Sequence, residues 1–578
     1  MSHDMHPATA AVLLLAALCV SAALLEPSTL RYGHDIFYHL LRIESLYDQL
    51  RLGVWASPIN YLFFGGAGYA SSACYPDALL YIPAALRLAG LNPGSACTVF
   101  ILLCMAASCG TAYWCARQMT GSRWAGVVAA IIYTLCQYKL DCVYTRGALG
   151  EIQAFIFIPV AICAVHDLLF RDFRQPWLML PGFGGLMLTH TISLFMAVLI
   201  SAVICLVFLK RVWPHIPALA GMALLTLGLT AFFWLPCVEM LLTMPLKAAQ
   251  PWTTAAENAV EPAMLLANVP LGQSRAGMGM VLFLLCLPRL ALSGRTAPQG
   301  EAGARWLALR RLADFGLLAG LACALAATTL FPWRHAGFVG VIQFPWRLYS
   351  FASWFLALGA AASLGCLLEM LRAGGKRIAA RKTGGGLSFA LACGVLACMS
   401  VAAWQHYGLL SARTFVLAHD VFATPAETVF VGKEEWMPQA VDRNLLMRDD
   451  RHAEDDAGRH AALSVSPDKC ELRSELDARP RQWLDVPYIW YRGYAAEFLP
   501  RGGGAPERLT VNGAGRNGFC RVLLEGRGAG MVRVWYEGTA GQRAARWITV
   551  LSWLALSVLL ARRWRTAEKR AGQAAGRS

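Results

Sequence analysis

The sequence predicts a polytopic α-helical membrane protein, with about twelve transmembrane helices and a small outer β domain placed before the last of them. Composition is the first reason: of 578 residues, 57% are hydrophobic and only 15% charged, too apolar for an ordinary soluble protein and too long for a single core. Periodicity is the second, because apolar stretches of roughly 15–22 residues recur along most of the chain. The third is one block, about 406–545, that alone has the composition of a soluble domain.

The candidate spans lie at about 10–25, 96–116, 124–139, 152–170, 176–189, 192–209, 214–236, 277–291, 312–330, 348–371, 386–405 and 546–562. The formal net charge of +15 would point to nucleic acid in a soluble chain, so the placement of the basic residues decides its meaning. With a cytoplasmic N-terminus, the loops at Arg117/Arg123, Arg171/Arg174, Lys210/Arg211, Arg289 to Arg311 and Arg372 to Lys382, and the tail from Arg562, all fall inside. These loops are short and rich in Lys and Arg, so the basic excess is a topology signal, nucleic acid drops out, and both termini are cytoplasmic. The first span is short and ends in small residues, as a signal peptide does. Its leader, MSHDMHPATA, has neither Lys nor Arg, which favours a retained anchor.

The segments left outside are about 26–95, 140–151, 237–276 and 331–347, followed by the block at about 406–545. That block holds the charge-dense RDDRHAEDDAGRH (448–460) and the period-two runs RLTV (508–511), FCRVLLE (519–525) and MVRVWYE (531–537). Turn signals Asn512-Gly513 and Asn517-Gly518 flank them, which predicts a small antiparallel β domain. The expected division is therefore a membrane module at 1–405, an extracytoplasmic β-rich domain at 406–545, and a last span with a basic cytoplasmic tail at 546–578. Most of the 18 cysteines lie inside spans as small apolar residues. Cys470 with Cys520, or Cys74 with Cys142, are the pairs that an oxidising compartment allows to form disulfides. No CxxC or Cys/His zinc spacing occurs.

Any chemistry belongs on the outer face. In YGHDIFYHLLRI (32–43), Asp35 and His39 are four apart and Arg42 is three further on, so a helix starting near Asp35 sets them on one face, with Ile36, Leu40 and Ile43 on another. One reading is an interfacial amphipathic helix with a solvated polar face. Another pairs Asp35 with His39 on a divalent cation, although two ligands are too few to name a metal. In CVYTRGALGEIQAF, Arg146 and Glu151 bracket a turn just before a span, where a carboxylate is expensive unless it meets water or protein; a helix N-terminal carboxylate favoured by the dipole explains it equally well. His190, in LTHTISL, sits at a tight outer turn, either as an interfacial side chain or as a functional one. The tetrapeptide FPWR occurs at 331–334 and again at 344–347. Its tryptophans suit an aromatic belt, whereas Arg334 and Arg347 suit a lipid phosphate.

The stretch GHDIFYHLLRIESLYDQLRLGVWASPINYLFFGGAGYASSACYPDALLYIPAAL (33–85) resembles the first outer loop of the GT-C superfamily of membrane glycosyltransferases: an acidic residue soon after span one, a surface helix, then a Gly-rich stretch and a Tyr-Pro leading into a second helix. YTRGALGE, the His after a short span, FFWLPCVE (232–239) and QFPWR are similar to a bacterial subgroup, the YfhO-like proteins and the membrane proteins labelled 6-pyruvoyl-tetrahydropterin-synthase-related. The stretch from VPYIWYRGYAAEFLP to ITVLSWLAL (486–556) resembles the YfhO-type ending. The pterin chemistry itself uses a histidine zinc site, and no such cluster is visible.

The resemblance implies a GT-C-like fold in a bacterial cytoplasmic membrane. The activity it implies is inverting transfer of a sugar from a polyprenyl-phosphate carrier to an outer-face acceptor of the cell envelope. Asp35 matches the first-loop acidic residue that acts as general base or metal ligand in the superfamily, and Glu151 the second-loop acidic residue. His39, Arg42, Tyr144, Arg146, His190, Arg334 and Arg347 are the substrate-binding candidates, with Arg146, Arg334 and Arg347 facing the leaving phosphate. Several members carry paired acids where this chain reads His34-Asp35, so a divalent cation stays open, with His39 as a substitute ligand.

Two other classes compete. A transporter or flippase also has about twelve spans with both ends inside, but that fold predicts two similar halves joined by a long linker, and only KRVWPH joins the sixth and seventh candidate spans. A non-catalytic GT-C-like assembly or lipid-handling protein is the third class.

Overall fold

Proline, glycine and charge decide which apolar stretches become long helices. The computed structural model describes residues 5–31, 33–55, 57–272, 276–374, 380–410, 414–415, 434–448, 451–467 and 469–575. Asp449 and Asp450 of the charge-dense run, 375–379 of the basic loop and most of 411–433 in the outer block lie outside these residues.

The main helices are α1 (Pro7–Ser21), α2 (Ile36–Arg51), α3 (Pro93–Thr120), α4 (Arg123–Thr134), α5 (Gln137–Asp141), α6 (Leu149–Phe170), α7 (Thr191–Val207), α8 (Leu209–Leu229), α9 (Ala231–Thr243), α10 (Glu301–Ala326), α11 (Tyr349–Gly374), α12 (Ala380–Leu409) and α13 (Ala540–Ala575). Among the described residues, six helices are long and apolar enough to cross a membrane: Pro93–Thr120, Leu149–Phe170, Leu209–Leu229, Pro345–Leu371, Gly386–Leu409 and Ala540–Arg562. A seventh is counted if Arg123–Thr134 and Gln137–Arg146, bent by 46°, make one span. The other stretches expected to span are shorter or interrupted. Pro176, Pro181 and the glycines at 182, 184 and 185 hold the fifth candidate in 3₁₀ and π turns, and Arg310, Arg311 and Asp314 sit within α10.

The chain forms two compact units. The first comprises Met1–Tyr47, Ala78–Ile216 and Pro251–Val421, the second Asp48–Asp77, Pro217–Gln250 and Phe422–Ser578. In the first unit α10 lies along α11. A Gly316-x-x-x-Gly320 pair makes this possible, because a Cβ on Gly316 would stand 2.8 Å from the Phe355 carbonyl oxygen. All of α4 is buried beyond Arg123, and at Leu135–Cys136 the chain breaks into α5 and a π turn, Cys142–Arg146, which closes on Gly147 at φ 61°. A left-handed residue there favours glycine.

Two short strands of the first unit, β1 (Leu30–Arg31) and β2 (Thr414–Phe415), pair antiparallel, and the second unit carries the β domain. Strands β3 (Ala453–Asp455), β4 (His460–Val465), β5 (Glu471–Leu476), β6 (Arg481–Ile489), β7 (Tyr494–Pro500), β8 (Glu507–Leu509), β9 (Val511–Asn512), β10 (Phe519–Arg527) and β11 (Gly530–Tyr536) make one antiparallel sheet in the order β8-β7-β11-β5-β4-β3-β6-β10-β9. The three period-two runs fall on β8 and β9, β10 and β11, and Asn517 and Gly518 lie in the left-handed turn that opens β10. Burial alternates along β11, with Val532 and Val534 inside and Arg533 facing out to pair with Glu471 at 2.9 Å. Neither expected disulfide, Cys470 with Cys520 or Cys74 with Cys142, is formed in the structure.

Candidate functional site

Two backbones meet closely at the end of the broken helix. The amide of His34 donates to the Thr145 carbonyl at 3.3 Å and that of Asp35 to the Arg146 carbonyl at 2.7 Å. Two glycines permit the approach. A Cβ on Gly33 would lie 2.7 Å from the backbone of Arg146 and Gly147, and one on Gly147 would lie 2.9 Å from Cβ of Ile36. Because the obstacle at Gly33 is backbone, Gly33→Ala is expected to cost about 1–3 kcal/mol, read from the thermal unfolding of the full chain. A cost below ~0.5 kcal/mol would show that the two segments separate freely.

This contact sets Asp35 beside Arg146, whose Nη2 donates to Asp35 Oδ2 at 3.3 Å. The other terminal nitrogen of Arg146 donates to Glu151 Oε1. Arg347 brings its Nε to 3.4 Å from the same oxygen, and Tyr138 donates its hydroxyl to Oε2 at 2.5 Å. Glu151 is thus 4% exposed and engaged at both oxygens, while the Asp35 side chain stays 41% exposed and open to a ligand. His190 caps α7 by accepting the Ser193 amide at 3.2 Å, and it lies within electrostatic reach of Glu151, Arg347 and Arg146. His39 in turn lies within reach of His190 and Arg146. Asp35, Arg146, Glu151, His190, Arg347, His39 and Arg42 therefore form one cluster in the first unit.

The polar face of α2 is not solvated. His39 and Arg42 are buried as deeply as Ile36, Leu40 and Ile43. Arg42 Nη1 donates to His39 Nδ1 at 3.2 Å and its guanidinium lies over Tyr38, while Glu44 pairs with Arg87 at 2.7 Å. Burial first, and then the Arg42, His190 and Arg146 charges, hold the His39 pKa well below its usual value. An arginine only donates, so the neutral ring accepts at Nδ1 and carries its proton on Nε2.

The donor set does not suit a divalent cation. Asp35 already faces the Arg146 guanidinium, His39 Nδ1 faces Arg42, and no group of three or more His, Cys, Asp or Glu is gathered to hold a metal among the described residues.

Two candidates fall away from the cluster. Tyr144 turns to α1, donating to the Ser21 carbonyl at 2.6 Å and packing edge-on against Tyr407. Arg334 remains exposed on the 3₁₀ turn Trp333–His335, whereas Arg347, in the second FPWR, is only 12% exposed. Tyr138 was not foreseen, and neither was a second buried pair, Asp141 with His406 at 3.1 Å. Asp141 Oδ1 also accepts the Thr145 hydroxyl at 2.9 Å, which ties the π turn to α12. Lys139 and Asp141 inside an apolar run were the available signal, since charge at that depth needs a partner.

No family model and no curated protein sequence match this chain. Among solved structures it is similar to the arabinofuranosyltransferase AftD from mycobacteria, at 15% identity and a TM-score of 0.42, covering 72% of this chain and 29% of that one. It is also similar to ArnT from Cupriavidus metallidurans bound to undecaprenyl phosphate, at 13% identity and a TM-score of 0.37, covering 72% and 77% of the two chains. The archaeal oligosaccharyltransferase AglB from Archaeoglobus fulgidus, in complex with an inhibitory peptide and a dolichol-phosphate, matches at 13% identity and a TM-score of 0.37, over 70% of this chain and 56% of that one. Likeness at this level says nothing about chemistry or substrate.

Proposed function

We propose that this chain is an inverting membrane glycosyltransferase of GT-C type, YfhO-like, that moves a sugar from a polyprenyl-phosphate carrier to an extracytoplasmic acceptor. The observation that carries the reading is the half-exposed Asp35 carboxylate set beside the Arg146 guanidinium, with Arg347 next to it at Glu151. A guanidinium is what a phosphate needs, and a solvent-facing carboxylate is what an acceptor hydroxyl needs. The Lys- and Arg-rich loops support a reading in which both termini are inside a bacterial cytoplasmic membrane and the cluster and 406–545 are outside.

In this reading Asp35 takes the proton of the acceptor hydroxyl as its oxygen bonds to the anomeric carbon. The bond from that carbon to the phosphate oxygen breaks on the opposite face, and the phosphate leaves with the electron pair, its charge met by Arg347 and Arg146. Glu151 does not touch the substrate. With both oxygens occupied, it holds the two guanidiniums in place.

The test is transfer by the full chain in proteoliposomes supplied with polyprenyl-phosphate-linked sugars and membrane acceptors. Arg347→Met is expected to raise KM for the donor by about 10- to 100-fold, the worth of one hydrogen bond to a charged group. A chain that moves the lipid-linked sugar across the bilayer without cleaving it, or an unchanged donor KM in Arg347→Met, would refute the proposal.

A further inference from the structure

A cavity of about 220 Å³ lies in the first unit between α5, α12 and the stretches 266–268 and 278–282, and its lining contains none of the cluster residues above. Its polar side chains are Gln137, Asn268, Gln405 and His406. Leu140, Leu282 and Met399 are among the apolar ones. Leu266, Met280 and Gln405 are exposed and form a mouth on the outside of the bundle.

The cation of this wall is engaged. His406 brings Nδ1 to 2.9 Å from Asn268 Oδ1 and Nε2 to 3.1 Å from Asp141 Oδ1, and Gln137 donates to the Val269 carbonyl at 2.8 Å. Among the described residues of the lining an anionic ligand would meet no unengaged cation and would lose its hydration, whereas a neutral polar group can use the amides of Asn268 and Gln405. The volume corresponds to about seven groups of water or methylene size at ~30 Å³ each. Apolar, with a neutral polar end, is the chemistry that this describes.

We propose that the cavity is a binding site for one uncharged aliphatic chain bearing a hydroxyl or ester end, taken from the surrounding membrane. The site is independent of the transfer reaction proposed above, and it stands or falls on binding alone.

The probe is decan-1-ol, long enough to fill the cavity and extend through its mouth, with decanoate as the charged counterpart. Both are titrated into the full chain purified in digitonin, a detergent without a linear alkyl chain, while thermal unfolding is followed. Decan-1-ol is expected to raise Tm saturably by a few degrees, and decanoate to raise it much less. Ala403→Trp places an indole where a 1% exposed methyl lines the cavity and is expected to remove the saturable rise. If that variant does not fold, Ala402→Leu narrows the same wall and is expected to weaken the rise at least several-fold. No saturable rise, an equal rise with decanoate, or a rise unaltered in the folded variant overturns the proposal. Mass spectrometry of molecules that copurify with the native chain and are depleted in the variant then separates the two sources of such a chain, a glycerolipid ester or an isoprenoid alcohol.

Discussion

Asp35→Asn is expected to lower kcat for sugar transfer by about 10²- to 10⁴-fold, the contribution of a positioned general base, while leaving the fold intact. The amide keeps the shape of the carboxylate, and its oxygen still accepts from Arg146 Nη2, now 3.3 Å from Asp35 Oδ2. The side chain is 41% exposed, so its charge contributes little to stability and much to anything that approaches from solvent. The measurement is kcat in proteoliposomes beside Tm of the same preparation. A kcat within about threefold of the native value at unchanged Tm would remove Asp35 from the chemistry. Silence of Arg146 and Glu151 variants as well would make binding or transport the better class.

Arg146→Met is expected to act on stability first, at about 3–5 kcal/mol, because it leaves a buried carboxylate with one cation fewer. Glu151 is 4% exposed, and its remaining partners would be Tyr138, the Cys142 thiol at 3.8 Å and the Arg347 Nε at 3.4 Å. Against a net stability of about 5–15 kcal/mol this is a large fraction. The double variant Arg146→Met with Glu151→Gln should recover most of the loss, since it removes the stranded charge along with its partner. Denaturant or thermal unfolding of the four species closes the cycle. A cost below ~1 kcal/mol, or a double variant no better than the single, would mean that the pair is not coupled.

Each member of the cluster carries its own local signal in the sequence: Asp35 just after the first span, Glu151 at the start of another, His190 at a tight turn and Arg347 in a repeated tetrapeptide. Spacing does not reveal their convergence, which depends on two glycines letting backbones touch and on a helix that breaks at Leu135–Cys136. The two FPWR copies show the limit plainly. The same four residues leave Arg334 exposed and turn Arg347 toward Glu151, a distinction made entirely by what packs beside each. Tyr144 shares a π turn with Arg146 yet faces the opposite way, to Ser21. Hydropathy likewise marks apolar composition but not continuity, so a stretch such as 176–189 reads as a span although its prolines and glycines bend it. The β runs of the outer block were legible because alternation maps directly onto the two faces of a sheet.

The helix that ends at Arg146 is capped by residues more than a hundred positions earlier in the chain, through the amides of His34 and Asp35. Both hydrogen bonds would have to break before this segment could swing aside, and each break would leave a helix-terminal carbonyl without its partner. The turn at 33–35 is therefore a fixed wall and not a door.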